Sequence, residues 1–172
     1  APGRVHAGDV EVADIGVEQG DTLACRALPS LLDLVPRRTA SDNKYSAGSV
    51  LVVGGSTGLT GAPCLAAVAA LRAGAGIVFA AVPAGLSSVF ELRLLEVMSR
   101  PCPDEDGHLV PEALEPILAL AARTRTVASG PGLGRTEGAR ELVRLRLERL
   151  ELPAVLDADR PVPADGALLQ AA

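Results

Sequence analysis

A repeated alternation of apolar strands and helices begins at Ser49 and sets the fold class of this chain. The run Ser49-Val50-Leu51-Val52-Val53 is almost continuously apolar, which is typical of a strand buried on both faces of a sheet. Three more strands are predicted at residues 77–82, 126–129 and 153–156. Strands that alternate with helices form crossover units, so the predicted class is α/β, a parallel sheet with helices on both faces.

The predicted helices lie between these strands. They cover residues 62–73, 86–98, 111–123 and 137–150. Pro63 and Pro111 fall in the first turn of their helices, where the missing N–H has no cost. The last helix is strongly charged, and its alternating charges predict a solvent-exposed face with i,i+4 ion pairs. These charges come from Arg140, Arg144, Arg146, Arg149, Glu141, Glu148 and Glu151.

The composition excludes several classes of protein. The 172 residues are 48% hydrophobic and 22% charged, as in ordinary globular domains. A net charge of -5 and only 2% aromatic residues argue against a nucleic-acid binder or a protein of anionic membrane surfaces. No apolar run reaches about 18 residues, so no membrane span is predicted. Cys25, Cys64 and Cys102 lie far apart without a CxxC pair, which favours packing thiols and a reducing, cytoplasmic compartment.

The chain on either side of this pattern is organised differently. Residues 8–16 are predicted to form a strand with a glycine at each end, and residues 28–36 one short helix between prolines. After Asp159 the alternation stops, and residues 160–172 are rich in Pro and Ala. We therefore expect a domain boundary between residues 17 and 40.

Two glycine-rich loops follow predicted strands, at residues 54–63 and 130–134. The carboxyl ends of parallel strands meet at one edge of a sheet, where ligands bind in open α/β folds. Such glycines let backbone N–H groups approach an anion. The loop at residues 54–63 does not have the spacing of a standard phosphate motif. A structural turn is the alternative for both loops. The predicted phosphate-loop glycines are Gly55, Gly58, Gly61 and Gly130.

Acidic residues follow the fourth predicted strand. Asp157 and Asp159 are two apart on an extended segment and would point the same way. They could hold a hydrated Mg²⁺ ion or accept hydrogen bonds from ribose hydroxyls, with capping of a following helix as the alternative. His6 and His108 have polar surroundings and are predicted to be merely exposed. The sequence has no Ser-His-Asp order and no HExxH motif, so hydrolytic and zinc mechanisms are unsupported.

Several motifs occur together in a fixed order. They are Lys44-Tyr45-Ser46-Ala47-Gly48, Val50 to Ser56, Gly61-Ala62-Pro63, Ala69 to Gly76, Leu95-Glu96-Val97-Met98, Gly130-Pro131-Gly132-Leu133-Gly134 and Val155 to Asp159. In this combination the chain resembles the ADP-dependent NAD(P)H-hydrate dehydratase family over about residues 44–159. The resemblance implies a ribokinase-like fold. It also implies repair of nicotinamide cofactors that have gained water across a ring double bond.

The start of the chain resembles a second, often fused domain. His6-Ala7-Gly8 with Val12-Ala13-Asp14-Ile15-Gly16 is similar to the end of the NAD(P)H-hydrate epimerase domain. The two resemblances together imply an order of domains along the chain. This order is a tail of an epimerase-like domain at 1–20, a linker at 21–43, the N-terminal part of a dehydratase domain at 44–159 and an irregular tail at 160–172.

The dehydratase resemblance also implies binding residues. The hydrated forms NADHX and NADPHX would be contacted by Ala62, Gly132, Gly134 and Asp157. ADP would be the phosphoryl donor. Asp157 would lie in the same crevice, where Mg²⁺ could link it to the ligand. Lys44 matches the lysine with which the family's domain begins, and no role can be assigned to it.

Some family motifs have no counterpart in this sequence. These are a later His-bearing loop, a Lys-Gly strand and a Gly-Thr-Gly-Asp anion hole that carries the catalytic aspartate. The catalytic residue is therefore unknown, and we expect the chain alone to have little or no activity. The expected partners are a further copy of the chain or a C-terminal half.

Two other functions stay open at this point. One is an ATP-dependent small-molecule kinase of the ribokinase-like fold that acts on a hydroxymethyl group. The other is a non-catalytic remnant that binds nucleotide or pairs with a second polypeptide. Hydrated NADH, compared with a pyrimidine or a sugar alcohol, distinguishes the dehydratase from the kinase by its effect on the melting temperature.

Overall fold

The computed structural model describes residues 39–157, together with Asp33 and Val35. Contacts divide the chain into two units, residues 1–36 and 37–172, and the elements below belong to the second. Several predictions lie outside the described residues, apart from Asp33 and Val35. These concern His6, Cys25, Asp159 and the segments 8–16, 28–36 and 160–172.

Among the described residues, seven strands form two sheets. They are β1 (Ser49–Val53), β2 (Ile77–Pro83), β3 (Met98–Cys102), β4 (Asp104–Glu105), β5 (His108–Leu109), β6 (Thr126–Ser129) and β7 (Ala154–Leu156). The main sheet is parallel, in the order β3-β2-β1-β6-β7, and β4 pairs with β5 as an antiparallel hairpin. The chain moves outward from β1 to β3 and returns to the other side of β1 for β6. The order therefore reverses between β1 and β6, which is the usual ligand site of doubly wound sheets.

Between residues 39 and 157, four α-helices cover both faces of the main sheet. They are α1 (Gly61–Arg72), α2 (Ser87–Arg93), α3 (Leu114–Ala121) and α4 (Glu137–Arg149). The side chains of β1 alternate between the two faces: Val52 packs in the core beneath α1 and α2, and Leu51 packs in the core beneath α3 and α4. Both are at most 1% exposed. The predicted α/β class and the arrangement of helices on both faces are confirmed.

The structure corrects the prediction of one helix at residues 86–98. Only Ser87–Arg93 is α-helical, and Leu94 leaves the helical conformation at φ -114° and ψ 75°. Met98–Cys102 then forms β3, so the sheet has five strands rather than the predicted four. The strand was missed because it lies at the edge: only Cys102 among its five residues is buried. Pro101, which has no N–H, is tolerated in an edge strand.

The helix predicted at 111–123 is also shorter than expected. Pro111–Ala113 forms a 3-10 turn, and α3 ends at Ala121. The strands β1, β2, β6 and β7 and the helices α1 and α4 agree with the prediction to within one or two residues at each end, which is the usual uncertainty of element boundaries.

Helix α4 departs from the prediction at Arg146. This residue is only 1% exposed and shares the buried stripe of the helix with Ala139 and Leu142. Its Nη1 and Nη2 atoms have no hydrogen-bond partner within the described residues, and burial lowers the pKa of the guanidinium to about 10. The predicted exposed face is correct elsewhere, because Arg144 forms an ion pair with Glu148 at 2.6 Å.

The described part of the chain contains no helix that is long and apolar enough to cross a bilayer. Cys64 and Cys102 are both free thiols, as expected. Cys102 is buried in the core beneath α3 and α4, and burial raises the pKa of its thiol to about 11. Such a thiol is protonated at neutral pH and acts as a small apolar side chain.

Candidate functional site

The candidate site lies at the carboxyl ends of β1, β6 and β7. We call residues 54–60 the β1 loop and residues 130–136 the β6 loop. The two loops touch at the point where the strand order reverses. The Ser56 hydroxyl, which is fully buried, donates a hydrogen bond of 2.9 Å to the carbonyl oxygen of Gly132. The predicted meeting of the two glycine-rich loops at one edge is therefore present in the structure.

Two glycines permit this close packing. A Cβ atom at Gly54 would collide with the carbonyl oxygen of Pro131. A Cβ atom at Gly132 would collide in the same way with the carbonyl oxygen of Leu59. Backbone atoms cannot move aside as the end of a flexible side chain can. Gly132 is thus required for the loops to meet, and it is buried beneath the β1 loop.

Asp157 adds an acidic side chain to the same edge. Its N–H donates to the carbonyl oxygen of Ser129 at 2.9 Å, which continues the pairing of β6 with β7 by one residue. A Cβ atom at Gly130 would lie 3.1 Å from the Cβ of Asp157. Asp157 is exposed and lies beside the first glycine of the β6 loop.

The phosphate-loop glycines divide into two pairs. The N–H of Gly55 donates to the carbonyl oxygen of Pro131 at 3.0 Å, and the N–H of Gly130 donates to that of Val53 at 3.1 Å. These two glycines are buried and shape the loops. Gly58 and Gly61 are exposed, and their N–H groups have no hydrogen-bond acceptor among residues 39–157. Direct contact with a phosphate is thus a prediction for the second pair.

Ala62 lies next to these two exposed glycines. It is exposed in the first turn of α1, followed by the buried Pro63. The first turn of a helix presents unpaired N–H groups and the positive end of the helix dipole. The position of Ala62 is therefore suited to an anionic ligand, as the family resemblance implies.

A third segment at this edge, the β4–β5 hairpin of residues 104–109, was not predicted from the sequence. Asp106 and Gly107 form its tip, both with positive φ (50° and 74°), as in a type I′ turn. The N–H of Thr57 donates to the carbonyl oxygen of Gly107 at 3.0 Å. The hydroxyl of Thr57 donates to the carbonyl oxygen of Asp106 at 2.9 Å. The Asp-Gly pair was the signal that could have predicted this turn.

The half-buried Asp104 anchors the other end of the hairpin. Asp104 accepts hydrogen bonds of 2.9 Å from the N–H groups of Gly85 and Gly107, one at each carboxylate oxygen. His108, predicted to be merely exposed, is half-buried, and its ring lies against Gly134. The prediction was wrong because it placed His108 in a loop. In the structure the residue belongs to strand β5, which lies between the β1 loop and the β6 loop.

Lys44 lies at the opposite end of the sheet from the glycine loops. A Cβ atom at Gly76, just before β2, would collide with the carbonyl oxygen of Lys44. An open cavity of about 530 Å³ at this end is lined in part by Tyr45, Phe79 and Arg123. The structure therefore separates Lys44 from the candidate site, and no role in that site follows from its match to the family.

The predicted Mg²⁺ ion can be tested against the donor atoms present. Within the described residues, no group of three or more His, Cys, Asp or Glu side chains could hold a metal ion. Mg²⁺ that serves phosphate chemistry usually binds through only one or two carboxylates, substrate phosphates and water. The exposed carboxyl group of Asp157 fits that smaller requirement.

Comparison with known proteins identifies the family. Residues 50–160, well over half of the chain, match the family model described as NAD(P)H-hydrate dehydratase. The chain belongs to the NAD(P)H-hydrate dehydratase family. The match includes both glycine loops, the hairpin and Asp157, so the candidate site lies wholly within the matched residues.

Curated relatives extend the comparison to most of the chain. A bifunctional NAD(P)H-hydrate repair enzyme Nnr from Moorella thermoacetica is 44% identical over 165 residues, which are 92% of this chain and 31% of the relative. The enzyme of the same name from Salinibacter ruber is 37% identical over 169 residues, with 91% and 31% covered. The chain thus spans about a third of the length of these relatives.

Solved structures support the fold. An ADP/ATP-dependent NAD(P)H-hydrate dehydratase from Bacillus subtilis, co-crystallized with ATP and Mg²⁺, is 27% identical with a TM-score of 0.55 over 74% of this chain and 43% of that one. A ribokinase-like superfamily protein from Enterococcus faecalis has a TM-score of 0.61 over 80% of this chain and 47% of that one, at 18% identity. The predicted ribokinase-like fold is confirmed.

Proposed function

We propose that this chain forms the substrate-binding part of an enzyme that dehydrates NADHX and NADPHX to NADH and NADPH, with ADP as phosphoryl donor. The observation that carries the proposal is the family match over residues 50–160, which contains the site where the two glycine loops and Asp157 meet. The domain order belongs to the same proposal. It assigns residues 1–20 to the tail of an epimerase-like domain and residues 44–159 to the dehydratase.

The chemistry of the substrate explains why such a site needs phosphate-binding groups. Hydroxide is a poor leaving group, so the hydroxyl of the hydrate is first phosphorylated by ADP, which leaves AMP. Expulsion of inorganic phosphate and loss of a ring proton then restore the double bond. Reactions of this kind depend on positioning and on stabilisation of phosphate charge.

The residues of this chain can supply part of that stabilisation. The exposed N–H groups of Gly58 and Gly61 are able to bind a phosphate oxygen beside the start of α1. Ala62 and Gly134 would contact the dinucleotide, and the buried Gly132 would hold the β6 loop in position. Asp157 would hold Mg²⁺, which when bound neutralises phosphate charge.

Ligand-dependent melting tests this proposal directly. Because a ligand that binds only the folded state raises its stability, NADHX should raise the melting temperature of the chain, whereas a pyrimidine or a sugar alcohol should not. Asp157→Asn should reduce the shift seen with NADHX and Mg²⁺. Glu151→Gln changes the charge of another exposed acid and is the matched control. A shift with the sugar alcohol alone would favour the kinase and contradict the proposal.

A further inference from the structure

The β4–β5 hairpin brings the ring of His108 between the two glycine loops. The backbone of His108 forms a bridge with Ser56. The ring atoms Cδ2 and Nε2 lie 3.3 Å and 3.7 Å from the point where a Cβ atom of residue 134 would be. The Ser56 hydroxyl oxygen lies 3.2 Å from the same point. The imidazole thus packs against Gly134, a predicted substrate contact.

The hydrogen bonds of the ring decide which nitrogen is able to accept. Nδ1 lies 3.1 Å from the carbonyl oxygen of Asp106. A carbonyl oxygen only accepts hydrogen bonds, so Nδ1 carries the proton in this contact. In the neutral ring, Nε2 is then an acceptor. Within residues 39–157 no donor is hydrogen-bonded to Nε2, although the residue is half-buried.

We infer that His108 is a substrate-binding residue whose Nε2 accepts a hydrogen bond from a neutral N–H or O–H group of the nicotinamide nucleoside. The inference rests on the proposed function. It is supported by the fixed position of the hairpin, which Asp104 anchors at one end and Thr57 at its tip. A side chain that is held in place before the ligand arrives loses little freedom on binding.

Two groups of the substrate have the required chemistry. The carboxamide of the nicotinamide ring carries an NH₂ donor, and the ribose carries hydroxyl donors. The nicotinic acid counterpart of NADHX has a carboxylate in place of the carboxamide and keeps the ribose. Comparison of the two ligands therefore shows which donor meets His108.

Isothermal titration of the chain with both ligands tests the inference. His108→Ala should weaken the binding of NADHX by about three- to tenfold, the effect of one neutral hydrogen bond. His108→Gln, whose amide oxygen reaches about as far as Nε2, should restore part of the affinity. Glu105→Ala alters an exposed residue of the same hairpin and should bind as the wild type does. Far-UV circular dichroism and melting temperature verify that each variant is folded.

The pattern of affinities separates the possible results. If the carboxamide is the donor, the wild type prefers NADHX to the acid, and His108→Ala abolishes the preference. If a ribose hydroxyl is the donor, His108→Ala weakens both ligands equally. Unchanged affinity of His108→Ala and His108→Gln for both ligands would overturn the inference and leave the proposed function intact. Failure of the wild type to bind either ligand would refute both.

Discussion

Substitution of a single glycine by alanine tests how tightly the two glycine loops pack. Gly132→Ala would place Cβ against the carbonyl oxygen of Leu59, at a φ of 62°. We expect the variant to lower the free energy of unfolding by about 3 kcal/mol, because backbone must move to relieve the collision. In Gly58→Ala the φ of 79° is equally unusual, but nothing lies within 4 Å of the new atom. This control should lose only about 1–2 kcal/mol. Equal losses in urea denaturation would show that the loops do not pack as described.

The buried charge of Arg146 is expected to lower the free energy of unfolding. Its guanidinium is buried, and its two terminal nitrogens lack partners within the described residues. Arg146→Met keeps the apolar length of the side chain and removes the buried charge. We expect the variant to raise the free energy of unfolding by about 1–3 kcal/mol. Arg140→Met, on the exposed side of α4, should change it by less than about 0.5 kcal/mol. A large loss in Arg146→Met would mean that the charge has a stabilising partner.

The stability difference between the wild type and Arg146→Met should depend on pH, and the sign of that dependence follows from the pKa of Arg146. Burial lowers the pKa of Arg146 to about 10, below its value in the unfolded chain. Between these two pKa values the unfolded state binds more protons, so the wild type gains stability as the pH rises through this window. The advantage of Arg146→Met should be complete below pH 10 and should decrease above it. Urea denaturation of both proteins over this range provides the measurement, and a constant difference would contradict the buried charge.

The hairpin offers a test at the scale of secondary-structure elements. Asp104→Ala removes two hydrogen bonds to a carboxylate, at Gly85 and Gly107. We expect the hairpin to open locally. The amide of Thr57, which donates to the carbonyl oxygen of Gly107 and not to Asp104, should then exchange its hydrogen at least about tenfold faster, since each lost bond contributes about 1.5–3 kcal/mol. Asp104→Asn should give a smaller effect, and Glu105→Ala none. Unchanged exchange at Thr57 would show that Asp104 does not anchor the tip.

The elements also show why some of the fold was predictable and some was not. Strand β1 is buried on both faces, and the sequence consequently contains an uninterrupted apolar run. Strand β3 lies at the sheet edge, with residues such as Arg100 and Pro101 exposed, so it lacks that pattern. The hairpin has only two residues in each strand, too few for any periodicity. Its signal is confined to the Asp106-Gly107 turn.

The site was predictable in its position and less so in its details. Glycines after two buried strands were enough to locate the edge, because parallel strands bring their carboxyl ends together. The hydrogen bonds that occupy Gly55 and Gly130 depend on how the loops pack on each other, and no local pattern contains that information. The same holds for Arg146. Its spacing from Leu142 fits a buried stripe, but charge in the surrounding sequence favoured the exposed interpretation.

At the scale of the whole molecule, the proposed function assigns substrate binding and catalysis to different segments. The reversal of strand order places backbone donors and Asp157 at one edge, while the resemblance assigns the general base and the phosphate cradle to a Gly-Thr-Gly-Asp segment that this sequence lacks. We therefore expect the chain to bind NADHX in isothermal titration but to produce no reduced-nicotinamide absorbance when ADP and Mg²⁺ are added. Addition of a polypeptide that carries a Gly-Thr-Gly-Asp segment should then give turnover. Robust turnover by the chain alone would place the catalytic groups within its own residues, and Asp157→Asn would then be the first variant to assay.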